Sequence, residues 1–284
     1  MAVKIITDSA SDIAQGEIEG VSVAPMSISF GERTYHDGVD LSHQRFYEML
    51  VESDALPSTG QVTPFVYSKI LDEVLEPDDE AVIVSISGEL SGSHQSACAA
   101  AKAFGGRVRV VDTRSVSMGE RILVQYAARL LSAGASAGDL VAALEEKKDD
   151  VVLIALLDTL EYLRRGGRIS SVSAGIGAML SVKPVIAAQD GRVVLLGKAR
   201  GSRNGRNLLN EQIEHSGGID FTMPIGVGYT GLSSALLQKY LRDSREVWEG
   251  KVEDLPVVSM GSTVGTHAGP GAIALAYFSR PAQE

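Results

Sequence analysis

The stretch between Gly261 and Gly271 combines a histidine with four glycines, an arrangement suited to binding an anion. It follows the apolar run 255–259 and precedes the helix-like run 272–278, so we predict a strand, a glycine-rich loop and then a helix. Glycines let backbone N–H groups approach a ligand, and a helix N-terminus favours negative charge. His267, within the loop, can donate a hydrogen bond to an oxyanion. A flexible loop with a surface histidine would show the same pattern.

Three further loops are rich in hydroxyl groups, and two of them follow predicted strands. They span residues 7–12, 57–63 and 85–95. In an open α/β sheet, ligands bind beyond the C-terminal ends of the strands. Serine, threonine and aspartate are also the preferred helix caps, so each loop alone has a structural explanation. Three such loops together with His267 favour one shared anion site at a sheet edge.

The sequence lacks the motifs of common nucleotide and hydrolase sites. It contains no P-loop and no Gly-x-Ser-x-Gly elbow, and its five histidines show no metal-ligand spacing with each other or with Cys98. We therefore predict no metal and no cofactor. Ser91 and His267 would suit a nucleophile and its base, which keeps open a stand-alone hydrolase or phosphotransferase. Because no acidic residue close to His267 in the sequence would orient the imidazole, we favour binding over catalysis.

The composition is that of a globular protein. Hydrophobic residues make up 44% and charged residues 22% of the 284 residues, enough for one large or two medium domains. The longest strictly apolar run, 151–157, is far shorter than the roughly 20 residues that cross a bilayer. The N-terminus indicates a strand rather than a secretion signal, and Cys98 is the single cysteine. These features predict a cytoplasmic protein.

Charge is distributed unevenly along the chain. The net charge of −10 argues against nucleic-acid binding, yet the segment 164–206 carries nine Lys or Arg residues against one acid, Asp190. Such a run of basic residues usually forms a solvated basic face. The segment would also attract a phosphate, a carboxylate, an anionic membrane surface or an acidic partner, so a docking module built on it is a third possibility.

The predicted elements give an α/β fold. In the first half, the strand candidates 3–7, 81–87, 108–112 and 151–157 alternate with amphipathic helices, which is typical of a parallel sheet. One helix is predicted to start with Thr63 as N-cap and Pro64 at its first position, and the segment 136–139 resembles the capping box of another. In the second half, the runs 183–188 and 192–197 flank an Asp-Gly turn that predicts an antiparallel hairpin. We predict two α/β domains, 1–158 with a mostly parallel sheet and flanking helices and 159–284 with a mixed sheet containing the hairpin. The ligand site would lie between or across them.

The order of short motifs along the whole chain resembles that of the DegV family, whose members include the fatty-acid-binding (FakB) subunits of bacterial fatty acid kinase. The similar segments are residues 7–12, 35–41, 57–61, 90–93, 110–115, 163–170, 183–184 and 265–271. Each of these motifs alone is weak evidence for the family, but in this order and at this chain length they are specific for it.

The resemblance implies a long-chain fatty acid bound in an apolar tunnel. By position, Thr59, Ser91 and His267 would hold the carboxylate, and hydroxyl and imidazole groups suit that task. The resemblance also marks four further ligand-site residues: Gly92, Ser93, Arg168 and Arg200. The chain departs from the family pattern at Gly60 and Val62, where serine and proline are usual, and this removes a hydroxyl beside the site. Alanine at 272, where glycine is common, suggests a tighter helix start.

The resemblance also implies a carrier with no catalysis of its own. A separate ATP-dependent kinase subunit would phosphorylate the bound acid to an acyl phosphate, which fits the absence of a nucleotide motif here. Burying a methylene contributes about 0.8 kcal/mol, so a tail of roughly 14 methylenes has a ceiling near 11 kcal/mol before association costs. The aliphatic runs 176–180, 185–188 and 272–278 are candidates for the tunnel wall.

Overall fold

Thirteen strands are found in the part of the chain that the structure, a computed structural model, describes: residues 2–53, 56–169 and 182–280. They are β1 (Val3–Asp8), β2 (Val21–Ala24), β3 (Ser27–Phe30), β4 (Arg33–His36), β5 (Ser58–Gly60), β6 (Glu80–Ser85), β7 (Val108–Asp112), β8 (Val151–Leu156), β9 (Val182–Gln189), β10 (Arg192–Arg200), β11 (Gly226–Tyr229), β12 (Val257–Ser259) and β13 (Ile273–Phe278).

These strands form three sheets. The first is a parallel sheet in the order β2-β1-β6-β7, and the second is a six-stranded mixed sheet in the order β10-β9-β8-β13-β11-β12. A small antiparallel sheet has the order β4-β3-β5. The predicted α/β class, with one parallel and one mixed sheet, is therefore confirmed.

Helices cover the sheets and separate them. They are α1 (His43–Glu52), α2 (Pro64–Val74), α3 (Ser93–Ala101), α4 (Met118–Ser132), α5 (Ala137–Lys147), α6 (Glu161–Arg165), α7 (Gly201–His215), α8 (Ala235–Asp243), α9 (Arg245–Trp248) and α10 (Ser262–Ala268). Helix α4 contacts strands of both large sheets, including β1, β8 and β13. It therefore forms the central layer that joins the two halves of the molecule.

Local sequence signals set several boundaries where they were predicted. Thr63 caps α2 through a 3.4 Å hydrogen bond that its hydroxyl accepts from the Val66 N–H. Ser136 begins α5 with the predicted capping box. The predicted hairpin is β9–β10, and its turn residues Asp190 and Gly191 both have positive φ, 49° and 77°, as a tight hairpin turn requires.

The segment 261–278 corrects the sequence prediction. The expected loop contains helix α10, and the expected helix is strand β13. All six residues of β13 are buried, and in a run this short periodicity does not separate a buried strand from a buried helix. Gly269 and Gly271, with φ of 70° and 81°, turn the chain from α10 into β13. The tighter helix start expected at residue 272 is therefore wrong.

Two features of the sheets had no signal in the sequence. The small sheet that carries β5 consists of strands of three or four residues, too short to show alternation. Strand β8 precedes the predicted boundary at residue 158, yet it pairs with β9 and β13 in the mixed sheet. Sheet membership thus changes between β7 and β8, and the division into domains at residue 158 stays a prediction.

Candidate functional site

A cavity lies beyond the C-terminal ends of β6 and β7, against the mixed sheet and α10. The space not filled by atoms in the cavity and at its opening to solvent is about 840 Å³. Its wall is mostly apolar. Polar side chains reach it from seven residues: Thr59, Gln61, Ser91, Ser117, Arg168, Thr263 and His267. The position matches the expectation that ligands bind at the C-terminal edge of an α/β sheet.

Small side chains on the mixed sheet make room for the cavity. Ala274 on β13 pairs with Ala155 on β8, which in turn pairs with Ile186 on β9. Cross-strand partners share a sheet face, so these three side chains lie in one row along the cavity wall, and Ala272 lines it two residues from Ala274. A larger aliphatic residue at any of the alanines would fill part of this space.

Thr59 and His267 meet across the cavity wall, although 208 positions separate them in the sequence. Thr59 Oγ1 on β5 lies 2.9 Å from His267 Nε2 in the last turn of α10. Burial, and next the positive charge of Arg168, lower the pKa of His267 to about 4, so the imidazole is neutral at pH 7.

The other side of the His267 ring is closely packed. A Cβ at position 166 would collide with His267 Nδ1, so only glycine leaves room for the ring there. Nδ1 itself is buried and has no hydrogen-bond partner among the described residues. A buried polar atom without a partner is uncommon.

Ser91 lies in the loop between β6 and α3. Hydrogen bonds link it to the loop that follows β5, the strand that carries Thr59. The Ser91 hydroxyl lies 3.0 Å from Ser93 Oγ and accepts a 3.2 Å hydrogen bond from the Ser93 N–H. Ser93 Oγ in turn accepts a 3.0 Å hydrogen bond from the Val62 N–H. A Cβ at Gly92 would collide with the Gln61 side chain, so glycine allows the two loops to approach each other.

Arg168 brings a positive charge to the same region. Its Nε donates to the Leu90 carbonyl at 3.1 Å and its Nη1 to the Gly166 carbonyl at 2.7 Å. These bonds hold the half-buried guanidinium beside the loop of Ser91 and near His267. The cavity therefore offers hydroxyl, imidazole and guanidinium groups to an anion at one place.

Two aspartates already occupy the N-terminus of α10. Asp37 accepts hydrogen bonds from the Ser262 and Thr263 N–H groups at 3.0 and 2.9 Å. Asp12 accepts from the Gly261 N–H at 2.6 Å, and burial raises the pKa of Asp12 to about 6. The sequence prediction of an anion at the N-terminus of a helix in this segment is therefore wrong for a ligand. The chain supplies its own carboxylates there, and His267 lies at the other end of α10.

The structure brings together four of the seven predicted site residues in the cavity wall: Thr59, Ser91, Arg168 and His267. Gly92 and Ser93 lie behind Ser91 and position it. Arg200 is exposed at the end of β10 and is not part of the wall, so the structure does not bring it to the site. The three polar wall residues that sequence reasoning missed are Gln61, Ser117 and Thr263. The run 176–180, predicted as tunnel wall, lies outside the described residues.

The hydrogen bonds of a serine nucleophile are not present in this arrangement. The Nε2 atom of His267 contacts Thr59 rather than Ser91, and Ser91 contacts Ser93. Within the described ranges, no carboxylate orients Nδ1, and no group of three or more His, Cys, Asp or Glu side chains is placed to hold a metal ion. In the same part of the chain, no helix combines the length and apolar character needed to cross a bilayer.

Comparison with known proteins places these features in a family. Residues 2–280 match the family described as "Uncharacterised protein, DegV family". A DegV domain-containing protein of Deinococcus radiodurans is 35% identical over 284 residues, covering 97% of this chain and 98% of the relative.

Two solved structures share the fold over nearly the whole chain. A DegV family protein from Thermus thermophilus, described for its fatty acid binding, superposes with a TM-score of 0.87 at 32% identity, covering 99% of this chain and 100% of the other. The Fatty Acid Kinase (Fak) B3 protein of Streptococcus pneumoniae, solved loaded with linoleic acid, has a TM-score of 0.86 at 22% identity, with coverage of 99% and 100%. At 22% identity the second shows the fold alone. Since the family match and the Deinococcus relative each span almost the entire sequence, this chain belongs to the DegV family.

Proposed function

We propose that this protein binds a long-chain fatty acid, with its carboxylate at Thr59, Ser91 and His267 and its tail in the alanine-lined cavity. The observation that carries the proposal is the mostly apolar cavity whose wall includes Thr59, Ser91, Arg168 and His267, which we name the polar patch. The fatty acid binding described for the Thermus thermophilus protein, at 32% identity, supports this choice of ligand.

The polar patch suits a carboxylate chemically. Hydroxyl groups and an imidazole N–H can donate to carboxylate oxygens, and charge-assisted hydrogen bonds of this kind are stronger than neutral ones. Arg168 supplies a positive charge without a carboxylate partner of its own, since its guanidinium bonds only to backbone carbonyls among the contacts described.

The apolar wall suits the tail. Each methylene moved from water to an apolar wall contributes about 0.8 kcal/mol, which offsets the cost of association only for a chain of many carbons. The row of Ala272, Ala274, Ala155 and Ile186 in the wall carries no hydrogen-bonding side chain, so it suits an apolar tail.

We extend the proposal to a partner: the bound acid is presented to a separate ATP-dependent kinase that forms the acyl phosphate, and this chain performs no catalysis alone. The name of the Streptococcus pneumoniae Fatty Acid Kinase B3 protein, which shares the fold, supports this partner. Ser91 and His267 lack the mutual contact of a nucleophile and its base, which speaks against the stand-alone hydrolase or phosphotransferase.

The basic segment 164–206 contains the cations that would dock an anionic partner. Most of them are already neutralised: Arg164 and Arg165 pair with Glu161, Lys183 with Asp158, Arg192 with Glu89 and Arg206 with Asp243. Lys198, Arg200 and Arg203 are exposed and form no ion pair with any residue described. We propose these three as the docking surface for the kinase or for an anionic membrane.

Lipid occupancy tests the proposed function. We expect native mass spectrometry of the purified protein to show one long-chain fatty acid per chain, and the triple variant Thr59→Ala/Ser91→Ala/His267→Ala to be empty. Thr34→Ala is the matched control, because it removes an exposed hydroxyl from the same small sheet. Protein that is empty after every preparation and takes up no added fatty acid would overturn the proposal. Turnover of an acyl ester by the protein alone, lost in His267→Ala, would establish the enzyme instead.

Charge reversal tests the docking surface. The variant Lys198→Glu/Arg200→Glu/Arg203→Glu should lower acyl-phosphate formation in the presence of a fatty acid kinase, or binding to anionic vesicles, without changing lipid occupancy. Reversal at Arg164 and Arg165, which already pair with Glu161, is the control. Equal losses in both variants would contradict this assignment.

A further inference from the structure

The loop that carries Ser91 touches the second half of the molecule at three points. We name residues 86–92 the Ser91 loop and residues 189–192 the hairpin turn. Ser87 and Glu89 of the loop contact the hairpin turn, and the Leu90 carbonyl contacts Arg168. The contacts cluster within four residues of the loop, immediately before Ser91.

Ser87 is the centre of this arrangement. Its side chain is completely buried, and its hydroxyl donates a 2.7 Å hydrogen bond to the Gly191 carbonyl, 104 positions away. The same hydroxyl accepts a 3.2 Å hydrogen bond from the Glu89 N–H. Both hydrogen-bonding directions of the hydroxyl are therefore used, one within the loop and one across to the hairpin turn.

The backbone of Ser87 sets the position of Ser91 directly. Its carbonyl accepts hydrogen bonds from the Leu90 and Ser91 N–H groups at 3.0 and 3.1 Å. The backbone of the loop thus bonds back to Ser87, and the hydroxyl of Ser87 links this part of the loop to the hairpin turn. A shift of Ser87 would carry Ser91 with it.

The hairpin turn is shaped for this contact. Gly191 has φ of 77°, a conformation that strains any residue with a side chain, and a Cβ there would lie 2.6 Å from Ser87 Oγ. Beside it, Arg192 Nε donates to the Glu89 carboxylate at 2.8 Å. Both partners of this ion pair are at least half exposed, so solvent screens it and it adds little alone.

The hairpin also belongs to the cavity. Ile186 on β9 and Val193 on β10 line its wall, whereas Leu90 and Ser91 line the wall on the side of the parallel sheet. The contacts of Ser87 therefore join two walls of the same cavity at their rim. This arrangement lets residues outside the polar patch set the position of Ser91.

We propose that the hairpin turn is a clasp that positions the Ser91 loop for carboxylate binding, with Ser87 as the positioning residue. This inference rests on the proposed function and deepens it. Removing the Ser87 hydroxyl leaves the Gly191 carbonyl and the Glu89 N–H without their partner and loosens the attachment of the loop to the hairpin turn. Recognition of the head group weakens, while the apolar wall, and hence recognition of the tail, stays intact.

The test compares an acid with its matched alcohol. Dissociation constants for dodecanoic acid and dodecan-1-ol are measured on the wild-type protein, Ser87→Ala and the control Ser244→Ala. Ser244 is also buried and accepts a 2.9 Å hydrogen bond, from Asn210, in the core of the second half. We expect Ser87→Ala to weaken binding of the acid about fivefold and binding of the alcohol less than twofold. Ser244→Ala should leave the ratio of the two dissociation constants unchanged. Equal weakening of both ligands by Ser87→Ala, or none, would overturn the clasp.

A second pair of variants remains informative if Ser87→Ala does not fold. Arg192→Glu places two exposed carboxylates side by side and should weaken binding of dodecanoic acid about twofold. The swapped pair Glu89→Arg/Arg192→Glu should restore the affinity. Absence of rescue would count against the clasp.

Amide hydrogen exchange separates the clasp from the proposed function, because it needs no ligand. The Leu90 and Ser91 amides should exchange at least fivefold faster in Ser87→Ala than in the wild-type protein and Ser244→Ala. If the wild-type protein binds no fatty acid but Ser87→Ala still speeds this exchange, the proposed function is overturned and the positioning of the Ser91 loop by the hairpin turn is kept. Unchanged exchange would overturn the clasp alone.

Discussion

The two faces of strand β13 differ in what lies against them: one packs into a core, and the other borders the cavity. Ile273, Leu275 and Tyr277 pack into a filled core beneath the helices of the second half. On the other face, Ala274 and, just before the strand, Ala272 leave the cavity open, while the end of the strand packs into a core. Because the side chains of a strand alternate between faces, one short segment both stabilises the fold and forms the site. Side-chain size, rather than the path of the backbone, separates core from cavity.

The same principle continues onto the neighbouring strand. Gly228 on β11 pairs with Ala274, so it lies on the cavity face. There Met260 and helix α4 fill the space, since a Cβ at Gly228 would lie 3.0 Å from Met260 Cγ and 3.1 Å from the Met118 sulfur. Along this row a glycine allows close packing, whereas the adjacent alanine leaves the cavity open.

Truncation on the filled face should give the largest effect on stability. Leu275→Ala removes a side chain that is 1% exposed and leaves a void, so we expect the free energy of unfolding to fall by about 4 kcal/mol in urea titrations. Fatty acid affinity of the folded variant should change by less than threefold. A stability loss below about 1 kcal/mol would show that this face is not the tightly packed core that it forms here.

His267 gives the cavity face a pH dependence. Its pKa of about 4 lies below the value of 6.5 for an ordinary histidine, so the unfolded chain binds the extra proton between these pH values. The stability that neutral His267 contributes is full above pH 6.5 and is lost as the pH falls through 4. The difference in unfolding free energy between the wild-type protein and His267→Gln should shrink by about 3 kcal/mol from pH 7 to pH 4.

Urea titrations of both proteins at four pH values measure this difference. Burial raises the pKa values of Asp8 and Asp12 to about 6, so these groups act in the opposite direction over the same range. They are present in both proteins and cancel. A difference that does not vary with pH would contradict the burial of a neutral imidazole.

Filling the cavity face should change chain-length preference rather than stability. Ala274→Leu adds three carbons to the wall and displaces about as many methylenes of the ligand. We expect affinity for octadecanoic acid to fall roughly 50-fold and affinity for dodecanoic acid to change by less than threefold. Ile273→Leu, on the opposite face, is the control. An unchanged chain-length profile in Ala274→Leu would mean that the tail does not pass this point.

The smallest effect should come from the edge of the polar patch. Thr59→Ala removes one donor to the carboxylate, and we expect about a fivefold loss of affinity in equilibrium binding with hexadecanoic acid. Thr59→Ser keeps the hydroxyl and should stay within twofold of the wild-type protein. Equal losses in both variants would assign the effect to packing instead of hydrogen bonding.

The sequence predicts elements whose signals are local. The cap and first residue of α2, the capping box of α5 and the hairpin turn each depend on neighbouring residues, and all three are found as predicted. Strand β13 was missed because its neighbours bury both of its faces, which removes the alternation that marks a strand.

Long-range contacts explain what sequence reasoning missed at the site. The resemblance to a family supplied Thr59, Ser91 and His267, but the sequence gives no sign that Asp37, 225 positions from Ser262, occupies the helix end where an anion was expected. Ser117 and Thr263 reach the cavity only because α4 and α10 pack beside it. Arg200 had the right charge, but the end of β10 holds it in solvent.

A crystal structure of the protein with a bound long-chain fatty acid tests the central claim most directly. The account predicts carboxylate oxygens within hydrogen-bonding distance of Thr59, Ser91 and His267, and a tail that runs along Ala155 and Ala274. A carboxylate at Ser117 and Thr263, the other polar residues of the wall, or a ligand outside the cavity would contradict it.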